Sequence, residues 1–201
     1  DVRDAFLSVN SQNIDALPMG SVVGTVSVRR QAFLLNKRPD LKVVAFRGNV
    51  QTRIDKLKAG QVDATFLACA GLGRLGKSDE ITSVVHIEDM LPAVGQGAVG
   101  IEIREGDANK LSFIDQFSCS KTVVCVNAER GVLRALGGSC HTPVGVYATL
   151  ESGKMHLRVK VVSPDGSKMW AEDVKQKIAN EHEAMQFGEA IGSRLKSVFP
   201  K

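Results

Sequence analysis

Residues 21–70 read SVVGTVSVRRQAFLLNKRPDLKVVAFRGNVQTRIDKLKAGQVDATFLACA, and this stretch decides the fold. The apolar run at 21–25 (SVVGT) predicts a first strand. A helix follows with Val28, Ala32 and Leu35 on one face at i, i+4 and i+7, and Pro39-Asp40 stops it. Residues 42–46 (KVVAF) predict a second strand. A second helix sets Val50, Ile54 and Leu57 on one face and ends at Gly60, and residues 63–68 (DATFLA) supply a third strand. Strands alternating with short helices imply a parallel sheet with right-handed crossovers, hence an α/β unit.

Downstream, residues 91–104 (LPAVGQGAVGIEIR) read as a glycine-rich loop followed by another strand. A helix from about 120 to 136 runs into a Gly137-Gly138 cap. Residues 144–150 and 155–163 alternate around a turn at 151–153, and Ser163-Pro164-Asp165-Gly166 is a second turn. An amphipathic helix from about 180 to 198 closes a small α+β domain with an antiparallel sheet. Upstream, Asp1-Val2-Arg3-Asp4-Ala5-Phe6 reads like the middle of a domain, so a fragment or a processed product is expected.

The chain has 201 residues, enough for one large or two ordinary domains. With 43% hydrophobic and 24% charged residues, a packed core is expected. No apolar stretch approaches the ~20 residues that span a bilayer, so no membrane partner is expected. Cys69, Cys119, Cys125 and Cys140 form no C-x-x-C pair and have no histidines at zinc spacing. That pattern argues against a structural metal or a disulfide framework and fits a reducing compartment.

The net charge of +4 is modest, so its placement matters more than its size. In an open parallel sheet, ligands bind beyond the carboxyl ends of the strands. There the sequence places Thr25, Ser27, Arg29 and Arg30 after strand one, Arg47 and Arg53 after strand two, and Arg74 after strand three. Helix N-termini favour anions, and arginine adds two-pronged donors suited to carboxylate or phosphate. A single arginine of this kind reads as a surface ion pair of little worth. Five on one edge repel one another and call for a polyanionic ligand. Aromatic residues at 5% give little stacking surface for nucleic acid, and neither a P-loop nor a G-x-G-x-x-G fingerprint occurs.

Cys140 stands apart in LGGSCHTP (136–143). Two glycines end a helix and a proline opens a strand, which puts the thiol on an exposed connection of the kind reactive cysteines occupy. Cys69, inside LACA, reads as a packing residue, and His141 reads as an exposed structural histidine.

Taken in order, GTVSVRR (24–30), FRGNVQTR (46–53), LACAGLGRLG (67–76), LPAVGQGAVGIE (91–102), NAERGVLRALGGSCHTPVG (127–145) and SPDG (163–166) resemble the hydroxymethylbilane synthase, or porphobilinogen deaminase, family. The resemblance implies a three-domain transferase with two periplasmic-binding-protein-like α/β domains. Residues 3–92 would be domain two, 93–118 the returning part of domain one, and 119–201 the C-terminal α+β domain. It implies a dipyrromethane cofactor held covalently by Cys140 through a thioether. It also implies that Thr25, Ser27, Arg29, Arg30, Arg47, Arg53 and Arg74 bind the acetate and propionate groups of that cofactor and the growing chain.

The implied reaction deaminates porphobilinogen and condenses four molecules head to tail, giving hydroxymethylbilane and ammonia for haem or chlorophyll synthesis. The family's catalytic aspartate would lie upstream of Asp1, in an N-terminal segment of about a hundred residues of the same protein. This chain alone is therefore expected to be inactive. A cytoplasmic monomer, or a plastid one in a eukaryote, without metal or nucleic acid, completes the expectation. Val26 stands where serine is usual, Gly73 where lysine or glutamine is usual, and SCHT (139–142) replaces the commoner Gly-Cys-Gln-Val. Two other readings stay open: a non-catalytic solute-binding protein, which leaves Cys140 unexplained, and a degenerate homologue, suggested by Val26.

Overall fold

The computed structural model describes residues 1–107, 113, 114, 116–138 and 142–198. Strands β1 (Asp4–Ser8), β2 (Val22–Gly24), β3 (Lys42–Val44), β4 (Ala64–Ala68) and β5 (Ser83–Val84) form one sheet in the order β3-β2-β4-β1-β5. The predicted strands β2, β3 and β4 run parallel. The sheet is nevertheless mixed, because β1 is antiparallel to both β4 and β5. β1 escaped the sequence reading for a physical reason. Both faces of Ala5-Phe6-Leu7 are buried, so the run lacks the alternation that marks a half-exposed strand.

Helix α1 (Val28–Lys37) covers one face of the sheet, where Phe6, Val23 and Phe66 meet Ala32, Phe33 and Leu34. Helices α2 (Val50–Lys58) and α3 (Cys69–Arg74) cover the other, where Ala5, Leu7 and Leu67 meet Ile54, Leu57 and Leu72. Successive β1 side chains thus feed opposite layers, as a pleated strand requires. The inward face of α2 is the expected one. That of α1 is rotated: Arg29, Arg30, Ala32, Phe33 and Leu34 are buried, while Val28 and Leu35 are only partly so. Apolar periodicity missed this because two of the buried side chains are arginines.

The strand expected after the glycine-rich loop does not form. Residues 98–104 have no regular structure, and Val99, Ile101 and Ile103 are 70%, 55% and 39% exposed. A strand needs a neighbour for its backbone groups, and no described strand pairs with this segment.

The C-terminal unit runs α4 (Ser120–Leu136), β6 (Val144–Glu151), β7 (Lys154–Val162), β8 (Met169–Lys177) and α5 (Glu181–Val198). Its antiparallel sheet has the order β6-β7-β8. Ala128 and Val132 of α4, with Ala184, Ile191 and Leu195 of α5, pack on Val146, Leu157 and Val159. Helix α4 ends at Gly137 in the left-handed conformation, as its glycine pair predicts. β8 was not foreseen, because this edge strand (MWAEDVKQK) is mostly exposed and carries four charges.

The two units share a packed joint. Val146 N–H donates to Pro92 O at 2.9 Å, and Asn36 Nδ2 of α1 donates to Gly166 O at 2.8 Å. Arg158 pairs with Glu88 and lies over the Tyr147 ring, 4.9 Å from its centroid. Val162 of β7 enters the core between α1 and the sheet.

Candidate functional site

β2, β3 and β4 are parallel, so the connections that follow them leave from one edge of the sheet. After β2 the chain starts α1 with its own hydroxyls. Thr25 Oγ1 accepts from Ser27 N at 3.1 Å, and Ser27, the N-cap in an extended conformation, accepts from Arg30 N at 3.4 Å. Gly24 serves internal packing there, since a Cβ would lie 2.6 Å from the Phe46 ring. Val26 is exposed.

Arg29 and Arg30 point inward and meet an anion of the chain itself. Asp4, fully buried at the start of β1, accepts at Oδ1 from Arg30 Nε (3.0 Å) and Nη2 (2.7 Å) and from Gln96 Nε2 (3.2 Å). Its Oδ2 lies 2.8 Å from Arg29 Nη1. Arg30 Nη1 also donates to Phe66 O at 2.9 Å. Arg29 donates to Leu91 O at 2.7 Å and to Gln96 Oε1 at 3.3 Å. Burial alone would raise the Asp4 carboxyl, but Arg30 and Arg29 outweigh it and hold the group below its ordinary range. Repulsion between these two arginines is thus already offset from within. Neither Asp4 nor Gln96 was singled out from sequence: one is the head of an apolar run and the other sits between two glycines.

The other predicted arginines are differently placed. Arg53, half-buried on α2, donates from Nε to Gly48 O at 2.8 Å. Burial and the positive charge of Arg30 both pull its pKa down, so Arg53 and Arg30 sense each other. Arg47 is exposed after β3, and Arg74 is exposed at the far end of α3. The structure therefore gathers Thr25, Ser27, Arg29, Arg30 and Arg53, and leaves Arg47 and Arg74 on the rim. Cys140 and His141 lie outside the described residues.

A second carboxylate, Glu129 on α4, is buried at the joint. Its Oε2 accepts from Gly95 N at 2.7 Å and its Oε1 from Ala148 N at 3.1 Å. Burial pushes its pKa up to about 7 against the downward pull of those two amides. The signal in the sequence was its place in the stripe Cys125, Ala128, Val132, Leu136, where an acid must be buried. A cavity of about 390 Å³ between Gln96, Cys125, Glu129 and Tyr147 adjoins this acid and is not lined by the arginines. Among the described residues no cluster could hold a metal ion, and no helix is long and apolar enough to cross a membrane.

Comparison with known proteins fits both units. Residues 1–112 match the family model "Porphobilinogen deaminase, dipyromethane cofactor binding domain", and residues 123–197 match "Porphobilinogen deaminase, C-terminal domain". The chain belongs to the porphobilinogen deaminase family. It is 48% identical to the porphobilinogen deaminase of Nitrobacter hamburgensis over 170 residues, 85% of this chain and 54% of that protein. Identity to the Paraburkholderia phymatum enzyme is 43% over 197 residues, 98% of this chain and 60% of that one. The chloroplastic porphobilinogen deaminase of Oryza sativa subsp. japonica is 47% identical over 171 residues, 85% of this chain and 48% of the rice protein. The chain spans about half the length of the curated relatives it matches.

For a dipyrromethane, the donor set of this unit is chemically apt. The group carries carboxylates, and the site offers guanidinium donors. Arg29 Nε is buried without a hydrogen-bond partner, a donor still available.

Proposed function

We propose that this chain is part of a hydroxymethylbilane synthase, which condenses four porphobilinogen molecules head to tail and releases ammonia. The observation that carries the reading is the buried arginine cluster at the carboxyl edge of the sheet, in a chain whose two halves both match the family. Arg29, Arg30 and Arg53 would hold acetate and propionate groups, with Arg47 and Arg74 extending the cationic surface outward. Burial strengthens each charge-assisted hydrogen bond relative to water. Dipyrromethane, tethered at Cys140, would supply the primer pyrrole on which the product is built. Thr25 and Ser27 hold the first turn of α1 in place and so fix where the two following guanidiniums begin.

The catalytic aspartate is assigned to the N-terminal segment of the same protein, and activity to the whole protein. Residues 93–118 are read as returning to that segment's domain, with 3–92 as domain two and 119–201 as domain three. The exposed apolar side chains of Val99, Ile101 and Ile103, with Phe113 and Phe117 exposed nearby, support that reading. Helices on both faces of a mixed sheet in which β2, β3 and β4 run parallel support the periplasmic-binding-protein-like assignment. A monomer in the cytoplasm or a plastid completes the proposal.

Intact mass of the full-length protein tests it. The wild type should exceed its bare chain by two linked pyrrole units, and Cys140→Ser should lose the excess along with ammonia release from porphobilinogen. A folded wild type of bare-chain mass that releases no ammonia would sink the reading.

A further inference from the structure

We propose that Asp4 is a positioning residue for the carboxylate-binding arginines, a resident anion that holds Arg29 and Arg30 in the alignment that meets the ligand. The inference deepens the functional reading above and rests on it for the ligand's identity. Its basis is how the donors are shared. Arg30 is pinned on two sides, by Asp4 Oδ1 through Nε and Nη2 and by Phe66 O through Nη1. Arg29 is held by Leu91 O and Gln96, with Asp4 Oδ2 2.8 Å from its Nη1. Arg29 Nε and Asp4 Oδ2 are the buried polar atoms of this cluster without a hydrogen bond of good geometry. One guanidinium is therefore a fixed strut, while its neighbour keeps a donor in reserve. Without the shared carboxylate, two cations would face each other in a medium of low dielectric, where repulsion is strong enough to turn them apart.

The competing role for Asp4 predicts the opposite sign. If the carboxylate merely damped the local charge, removing it would strengthen polyanion binding, because the site would gain a positive unit. If it positions the arginines, removing it weakens binding in spite of that gain, since bidentate recognition depends on orientation.

Full-length protein decides between them, with Asp4→Asn and Asp4→Gly compared with wild type at equal cofactor content by intact mass. The probe is mellitate, a benzene bearing six carboxylates, titrated by calorimetry, with porphobilinogen kinetics in parallel. Asp4→Asn is expected to bind mellitate about tenfold more weakly and to raise KM more than it lowers kcat. Because breaking a buried pair can also cost the fold, Asp4→Gly is assayed with added formate, a carboxylate that fits the vacated position. Formate should recover thermal midpoint and KM, and chloride at equal ionic strength should not. Unchanged or tighter mellitate binding by Asp4→Asn overturns the proposal, as does a formate effect no larger than that of chloride. Absence of turnover in the wild type would count against the functional reading alone, because the mellitate titration needs no turnover.

Discussion

Glu129 and Asp4 are both buried carboxylates, yet acid should act on them in opposite directions. Glu129 is raised from 4.5 to about 7, so between those values the folded chain binds more protons than the unfolded one. Its contribution therefore makes the 201-residue chain more stable as pH falls from about 7 toward 4.5, by about 3 kcal/mol in all. Glu129→Gln should flatten that slope, as urea midpoints across the window would show; an unchanged slope would mean that Glu129 titrates normally. Asp4 is depressed, so its contribution is full above the ordinary carboxylate range and fades as pH falls through its lowered value. Sequence reading reached the arginines and missed their partners. Arginines at strand ends stand out by position, whereas an acid at the head of an apolar run, next to Arg3, looks like part of a charged boundary.

Among the elements, α2, α4, β6, β7 and α5 were legible because each shows its full period with one face in a core. β1, β8 and the non-strand at 98–104 were not, because tertiary neighbours decide them: β1 is covered on both faces, β8 is an edge, and no strand among the described residues pairs with 98–104. The turn at 163–167 was legible as a turn, but its docking role was not. Asp165 accepts from Ser163 Oγ at 2.5 Å and from Ser167 N at 3.1 Å, and these bonds, led by that from Ser163, pull its carboxyl down to about 2. The braced turn presses Gly166, at φ +76°, against the end of α1, where a Cβ would lie 2.8 Å from Leu35 Cβ. Gly166→Ala should therefore destabilise the chain by about 2–4 kcal/mol, from left-handed strain plus overpacking. Chemical denaturation measures it, and a wild-type midpoint would show that the contact relaxes freely.

Over the whole molecule, the exposed apolar residues Val99, Ile101 and Ile103 stand out against three well-filled cores. If a further domain covers them, the 201-residue chain by itself should bind anilinonaphthalene sulfonate, and Ile101→Lys with Ile103→Lys should reduce the fluorescence without lowering the thermal midpoint. Equal dye binding by both proteins would place the sticky surface elsewhere. The presence of two sheets, one with parallel strands and one antiparallel, could be read from the order of strands and helices. The joint could not, since Pro92, Glu88 and Gly166 meet their partners only through chain reversals that no local pattern records.

Strand direction turns out to be an electrostatic variable in this fold. β1 runs against β4 with Asp4 opposite Ala68, which brings its first residue to the same edge as Arg29 and Arg30. Had β1 entered parallel to β4, the same five residues would have delivered Asp4 to the other edge, about 13 Å away at the rise of a strand. Two guanidiniums would then have been buried with no counter-charge in reach. Permuted or redesigned versions of this sheet can accordingly move the chain ends freely, provided that β1 keeps its heading.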